Sequence, residues 1–422
     1  MNIPRVDKSL LLICLLWISL AAHAEQPLSL ADAIQLATQN QPLLESYRDA
    51  AISSREAAVA ESQLPDLKIK FGIINLPVTT SDALSLSRDD QTMANIGFSQ
   101  EMVPLKKREA AANRITAEAN QFQTEQVVMT RSIERDVAFA WLDTYEAQRK
   151  SELYQRIIDD MVAERKVLAT GVSSGAAKSS DVLRMDAEIS LINEKRIFAL
   201  RDERKARAGL ARWLGTSASR FISPELPVMS KELSTQNLQQ EINQHPLLIN
   251  AQQTEKVAQF EVEQAKANLE RNWSWEVGYG KRFAGRSDML TFQVAIDLQL
   301  DKANRQDKRT AEKLVLVEKA RKLTEDRRRE LAAELENALA DAQAADEREK
   351  EHLNVLIPVA KARLSLAQAA YTSGKQSLSE VWETRRNLVE VELDHWNILT
   401  DRQRAAVKLN YLLNNMNVGS PS

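Results

Sequence analysis

The chain has 422 residues, 27% charged and only 5% aromatic, with 11 glycines and 11 prolines. That mixture excludes a glycine- or proline-rich fibre and favours long helices or coiled coil. A formal net charge of −3 excludes both a strongly basic nucleic-acid surface and an acidic tail.

Residues 1–24 read as a secretory signal peptide: Arg5 and Lys8, an apolar run from Leu10 to Leu20, then Ala22-His23-Ala24 before Glu25. The run is too short for a spanning helix. Cys14, the only cysteine, sits inside it after Ile13, which is not the setting of a lipid-modified cysteine. The mature protein is therefore expected to be exported without disulfides. No apolar run of about 18 residues follows, so a membrane location would require a β-barrel.

From Ser29 to Leu64 the pattern predicts two helices around Asn40-Gln41-Pro42-Leu43-Leu44, with Ser29 as N-cap and Asp32 in a near capping box. Leu67, Ile69, Phe71 and Ile73 then alternate with Lys68, Lys70 and Gly72, which predicts a strand over about 66–76. A polar loop leads to a second strand, about 91–101, ended by Pro104. Helix is predicted from Leu105 to about Thr170. A break at Gly171–Gly175 precedes another helix, from about Lys178 to Leu214.

After a linker at 216–233 the order restarts. Gln244-His245-Pro246-Leu247-Leu248 answers Gln41-Pro42-Leu43-Leu44. Trp273, Trp275, Val277 and Tyr279, then Leu290, Phe292, Val294, Ile296, Leu298 and Leu300, alternate with polar or small residues, predicting strands at about 273–283 and 288–300. One long helix, a break at Ser373-Gly374 and a last helix follow. Val381, Leu388, Val391, Ile398, Ala405, Leu409 and Leu412 form its seam. The two breaks match each other: Gly175 with Asp181-Val182, and Gly374 with Glu380-Val381. The expected units are thus repeat one at about 29–215 and repeat two at about 234–416.

Helices of about 65 residues would span on the order of 100 Å, longer than a single globular core needs, so they must lie along one another as coiled coil. Four strands cannot close a membrane barrel, whose smallest examples have about eight. Open edges in lipid would leave peptide groups unsatisfied. Several chains must therefore share the barrel. Two would give eight strands and three twelve, and only the wider barrel leaves a lumen.

The doubled plan, the Pro-Leu-Leu opening of each half and the paired glycine–acid–valine tips resemble the TolC-type outer-membrane efflux channel family, over essentially the whole mature chain. Leu76-Pro77 and Pro104-Leu105-Lys106-Lys107-Arg108 look like its heavy-metal-efflux branch. The resemblance implies a mostly α-helical homotrimer whose helical tube continues into a shared twelve-stranded β-barrel, four strands per chain. It also implies a periplasmic adaptor protein, an inner-membrane pump of the proton-driven RND type, and an outer-membrane location with the helices in the periplasm. The channel would be a passive exit duct for heavy-metal cations. Drug efflux or type I secretion is the alternative within the class. A periplasmic coiled-coil adaptor or structural protein is the alternative outside it, and the doubled alternating strands argue against that.

Nothing in the sequence points to an enzyme, a cofactor or a metal centre. There is no phosphate loop and no nucleophile elbow. His245, His352 and His395 are isolated in sequence and read as ordinary helix or turn residues. Met93 and Met102 could offer soft ligands to copper, but methionine more often fills gaps in packing. Arg327-Arg328-Arg329 and Glu347–Glu351 read as solvated helix faces. Trp273, Trp275 and Tyr279 suit an interfacial aromatic girdle.

The one constellation singled out lies at the breaks. The resemblance puts Gly175 and Gly374 at the periplasmic tips, facing the adaptor and pump, with Asp181, Glu380 and Glu383 just beyond. Glu380 and Glu383 match the acidic ring at the channel entrance in family members. A ring of this kind favours cations. The plainer reading is that these acids are helix-start residues stabilising the macrodipole.

Overall fold

The computed structural model describes residues 26–39, 41–175, 177–227 and 238–413, so the expected signal peptide lies outside it. The first half contains α1 (Leu30–Thr38), α2 (Pro42–Glu61), β1 (Lys68–Ile74), β2 (Met93–Met102), α3 (Leu105–Ser173) and α4 (Ser179–Leu214), then a 3-10 turn at Gly215–Ser219. The second half runs α5 (Leu238–Gln244), α6 (Pro246–Ala267), β3 (Trp273–Arg282), β4 (Met289–Ile296), α7 (Gln306–Glu351), a π turn (His352–Leu356), α8 (Ile357–Thr372) and α9 (Leu378–Leu412). Among the described residues no helix is long and apolar enough to cross a membrane.

α1 opens with a complete capping box: Ser29 Oγ accepts the Asp32 N–H at 3.1 Å, and the Asp32 carboxylate accepts the Ser29 N–H at 3.4 Å. α3 has 69 residues and so extends about 100 Å. It is the axis on which α1, α2, α4, α6 and α9 all pack. Halfway along it, buried Trp141 donates its indole N–H to the Leu28 carbonyl at 2.9 Å and stacks on Tyr145. Leu28 is bridged in turn to Ile222, so the start of the chain and the segment between the halves are both strapped to the middle of α3. A second cluster nearer the tips contains Tyr154, Met161, Met185, Ile192, Trp382 and Val389. A third, under the second half, contains Leu248, Leu331, Leu335, Leu409 and Leu412.

The structure departs from the sequence expectations at several elements. The long helix of the second half is interrupted by the π turn. Pro358 has no N–H to give to Asn354 and its ring crowds that carbonyl; the wider turn just before it absorbs the misfit. β4 stops at Ile296, so Leu298, Gln299 and Leu300 lie beyond the strand. The seam of α9 turns towards α3 at its tip end: Trp382, Val389 and Leu393 are buried there, while Leu388 and Val391 are only half-buried. The charge run at 347–351 is not wholly solvated either, since Glu349 pairs with Arg402 at 2.9 Å.

The four strands form one antiparallel sheet in the order β1-β2-β3-β4. Ile69, Phe98, Val277 and Phe292 align across it, as do Phe71, Ile96, Tyr279 and Leu290. This face is apolar and uncovered, with Phe71 85% and Leu290 76% exposed. The other face is polar. Gly97 stands opposite Gly278, and a Cβ built on Gly280 would lie 2.2 Å from Met93 Sδ. A side chain at Gly280 would therefore force Met93 to move.

Candidate channel entrance and barrel wall

At the tip of the first half, α3 ends at Ser173 and Ser174 is its C-cap. Gly175 follows in the left-handed region (φ +78°), its N–H donating to the Val172 carbonyl at 3.2 Å. At the second tip Gly374 (φ +71°) closes a full Schellman motif: its N–H donates to Tyr371 at 2.9 Å and the Lys375 N–H to Ala370 at 2.8 Å. A Cβ at either glycine would meet nothing, so backbone handedness rather than space calls for glycine.

The acids beyond the turns occupy different kinds of position. Asp181 and Glu380 are in the first turns of α4 and α9, where the macrodipole alone accounts for a carboxylate. Gln376 Nε2 also donates to Glu380 at 3.0 Å. Glu383 lies past the first turn, beyond the reach of that effect. It is exposed and has no ion-pair or hydrogen-bond partner among the described residues. At about 100° per residue, Glu380 and Glu383 sit on the side of α9 opposite buried Val381 and Trp382. The two carboxylates thus share one open face.

What anchors that face was not legible as a site in the sequence. Arg385 makes a bidentate pair with Glu164 of α3 at 2.8 and 2.5 Å, and Arg386 pairs with Glu188 of α4 at 2.8 Å. Arg184 of α4 donates to Ser379 Oγ at 2.9 Å. These residues tie the tip of α9 to both helices of the first half. Their only signal was cationic side chains just after the acids, indistinguishable in sequence from a solvated face.

Midway along the tube, Arg404 on α9 bridges Asp143 and Glu146 of α3 at 2.6 and 2.7 Å. Burial raises the Glu146 carboxyl, but its contacts with Lys150 and Arg404 outweigh this and hold it below the usual range. His245 is not the ordinary turn residue the sequence suggested. It is buried as the N-cap of α6, its Nδ1 accepting the Leu247 N–H at 3.2 Å while Nε2–H faces the Tyr411 carbonyl at 3.2 Å. Burial holds it below the ordinary histidine range. His352 and His395 are not isolated in space: His395 is held down first by burial, with Glu349, His352 and Glu392 close enough to act on it. Among the described residues no three His, Cys, Asp or Glu side chains are placed to hold a metal ion.

On the barrel wall Met93 is buried against Gly280 and Met102 is half-buried. Trp273 and Tyr279 lie on the uncovered apolar face with Trp275 between them. On the polar face Lys70 pairs with Glu276 at 2.5 Å.

Residues 237–415, which take in most of the second half, match the family model for outer membrane efflux proteins. Over that stretch the chain resembles outer membrane efflux proteins. Its fold is that of solved channels. A membrane protein from Pseudomonas aeruginosa superposes with TM-score 0.76 at 16% identity, covering 91% of this chain and 90% of that one. CusC superposes with TM-score 0.75 at 15% identity, covering 91% of each chain. The outer membrane protein VceC of Vibrio cholerae gives TM-score 0.74 at 15% identity, over 91% of this chain and 95% of its own. At these identities the likeness is one of fold. No curated protein sequence matches this chain.

Proposed function

We propose that this chain is one third of a homotrimeric outer-membrane duct, the exit component of a tripartite efflux system that also comprises a periplasmic adaptor and a proton-driven RND pump of the inner membrane. One observation carries the reading. The sheet has two open edges and a bare apolar face, and it stands at one end of helices about 100 Å long. Alone in lipid, its edge peptide groups would each cost several kcal/mol. Three copies give twelve strands and close the edges while leaving a lumen. The helical tube then reaches through the periplasm towards adaptor and pump, with Gly175, Asp181, Gly374, Glu380 and Glu383 at its entrance. Energy comes from the pump; the duct is passive.

Heavy-metal cations are the proposed substrates. The support is Leu76-Pro77 and the Pro104–Arg108 helix start, which look like the heavy-metal branch, together with the exposed carboxylates at the entrance. Native mass measurement of protein extracted from outer membranes should give a trimer, and a monomeric barrel would sink the duct. A deletion strain should become sensitive to metal salts. Sensitivity confined to organic drugs would keep the duct and replace its substrate.

A further inference from the structure

We propose that the seam between neighbouring copies is closed on its lumenal side by an ion pair between Asp297 of one copy and Lys68 of the next; this rests on the trimeric reading above. β1 and β4 are the edge strands and are exposed along their whole length. Lys68, on one edge, has no ion-pair partner among the described residues, and neither has Asp297, just past the other. The Asp297 N–H still donates to the Asn272 carbonyl at 3.2 Å, so the ladder and its alternation continue through this residue. Asp297 therefore shares the polar face with Gln293 and Ala295. Lys68 and Asp297 line the same trough, of about 330 Å³, on that face.

The register follows from the sheet itself. The row through Lys68 crosses Ser99, Glu276 and Gln293, yet β4 continues to Ile296 before turning into the helices. Rows therefore climb away from the helical end between β1 and β4. Symmetry puts the next copy's Lys68 at the height of the first, beside a residue of the β4 segment nearer the helices than Gln293. Four strands about 4.8 Å apart and tilted about 35–45° shift a row by about 13–19 Å, or roughly 4–6 residues. Keeping polar side chains on one face restricts the shift to an even number. A shift of about four puts Lys68 opposite Asp297, and one of about six puts Lys70 there. Lys70 is already paired with Glu276, so only the first register leaves neither charge orphaned. Opposite charges on facing strands stabilise a pairing and help set its register.

Cysteine crosslinking tests this. In full-length protein carrying Cys14→Ser, Lys68→Cys with Asp297→Cys should give a disulfide-linked trimer on oxidation, lost on reduction and absent from either single variant. Lys70→Cys with Asp297→Cys should give far less. Efficient crosslinking of the second pair, or of neither pair in a protein whose native mass is trimeric, overturns the seam and leaves the duct standing. A monomeric native mass of the unmodified chain overturns both. Independently, Lys68→Glu should reduce detergent-stable trimer and Asp297→Lys should restore it; no rescue counts against the pair.

Discussion

Arg385 grips Glu164 with both terminal guanidinium nitrogens, at 2.8 and 2.5 Å, across the gap between the last helix and the long helix of the first half. Its neighbour Arg386 holds Glu188 on α4, so two consecutive cations clamp one tip to both helices of the other. Both pairs are partly exposed, and each is worth at most about 1 kcal/mol. Arg385→Ala with Arg386→Ala should therefore leave the trimer intact. It should raise hydrogen exchange at the start of α9 and increase conductance in planar bilayers. Unchanged exchange and conductance would mean that the clamp does not restrain the entrance.

Glu380→Gln with Glu383→Gln should lower cation preference and weaken block by divalent or trivalent cations, with trimer yield unchanged. The single variants separate the two readings of these acids. Glu380 lies in the first turn of its helix, whereas Glu383 lies beyond it, so Glu383→Gln should carry most of the selectivity change. If neither variant alters selectivity, both acids are ordinary helix residues.

The two faces of β4 should respond oppositely to charge. Phe292 lies on the bare apolar face and Gln293 on the polar one, opposite Glu276. Phe292→Arg should cost about 2–4 kcal/mol near the bilayer midplane and impair assembly. Gln293→Arg should be tolerated. Equal yields of assembled trimer from the two variants would contradict this assignment of faces.

His245 predicts a pH dependence of known sign. Burial lowers its pKa in the fold, so the unfolded chain takes up a proton first as pH falls. The stability it contributes is complete above the ordinary histidine pKa of about 6.5 and is lost as pH falls below that, until the folded state also protonates. Thermal melts in detergent between pH 5 and 8 should show this loss. His245→Asn retains a capping oxygen without a titrating group, so it should flatten the slope. His245→Ala should cost about 1 kcal/mol for the cap and about 1–3 more for the stranded Tyr411 carbonyl. A slope that survives His245→Asn would move the effect to another group, such as His395.

Local patterns made much of the fold legible in the sequence. Period-two alternation located all four strands and their apolar face, because that property depends only on neighbours along the chain. Ser29 with Asp32, Gly175 and Gly374 marked helix ends because caps and left-handed turns are built within a few residues. The doubled order gave the architecture. What stayed hidden depends on contacts between distant segments. His245 became a buried cap because Tyr411 lies over it, and Arg385 became a clamp because Glu164 stands opposite. Leu298 and Leu300 continued the alternation, yet the paired register ends at Trp273 with Ile296 and one further backbone bond, from Asp297 to Asn272, so both leucines lie beyond the strand. Periodicity records which side chains share a face; which partner covers that face, and where pairing stops, is set by how the elements pack.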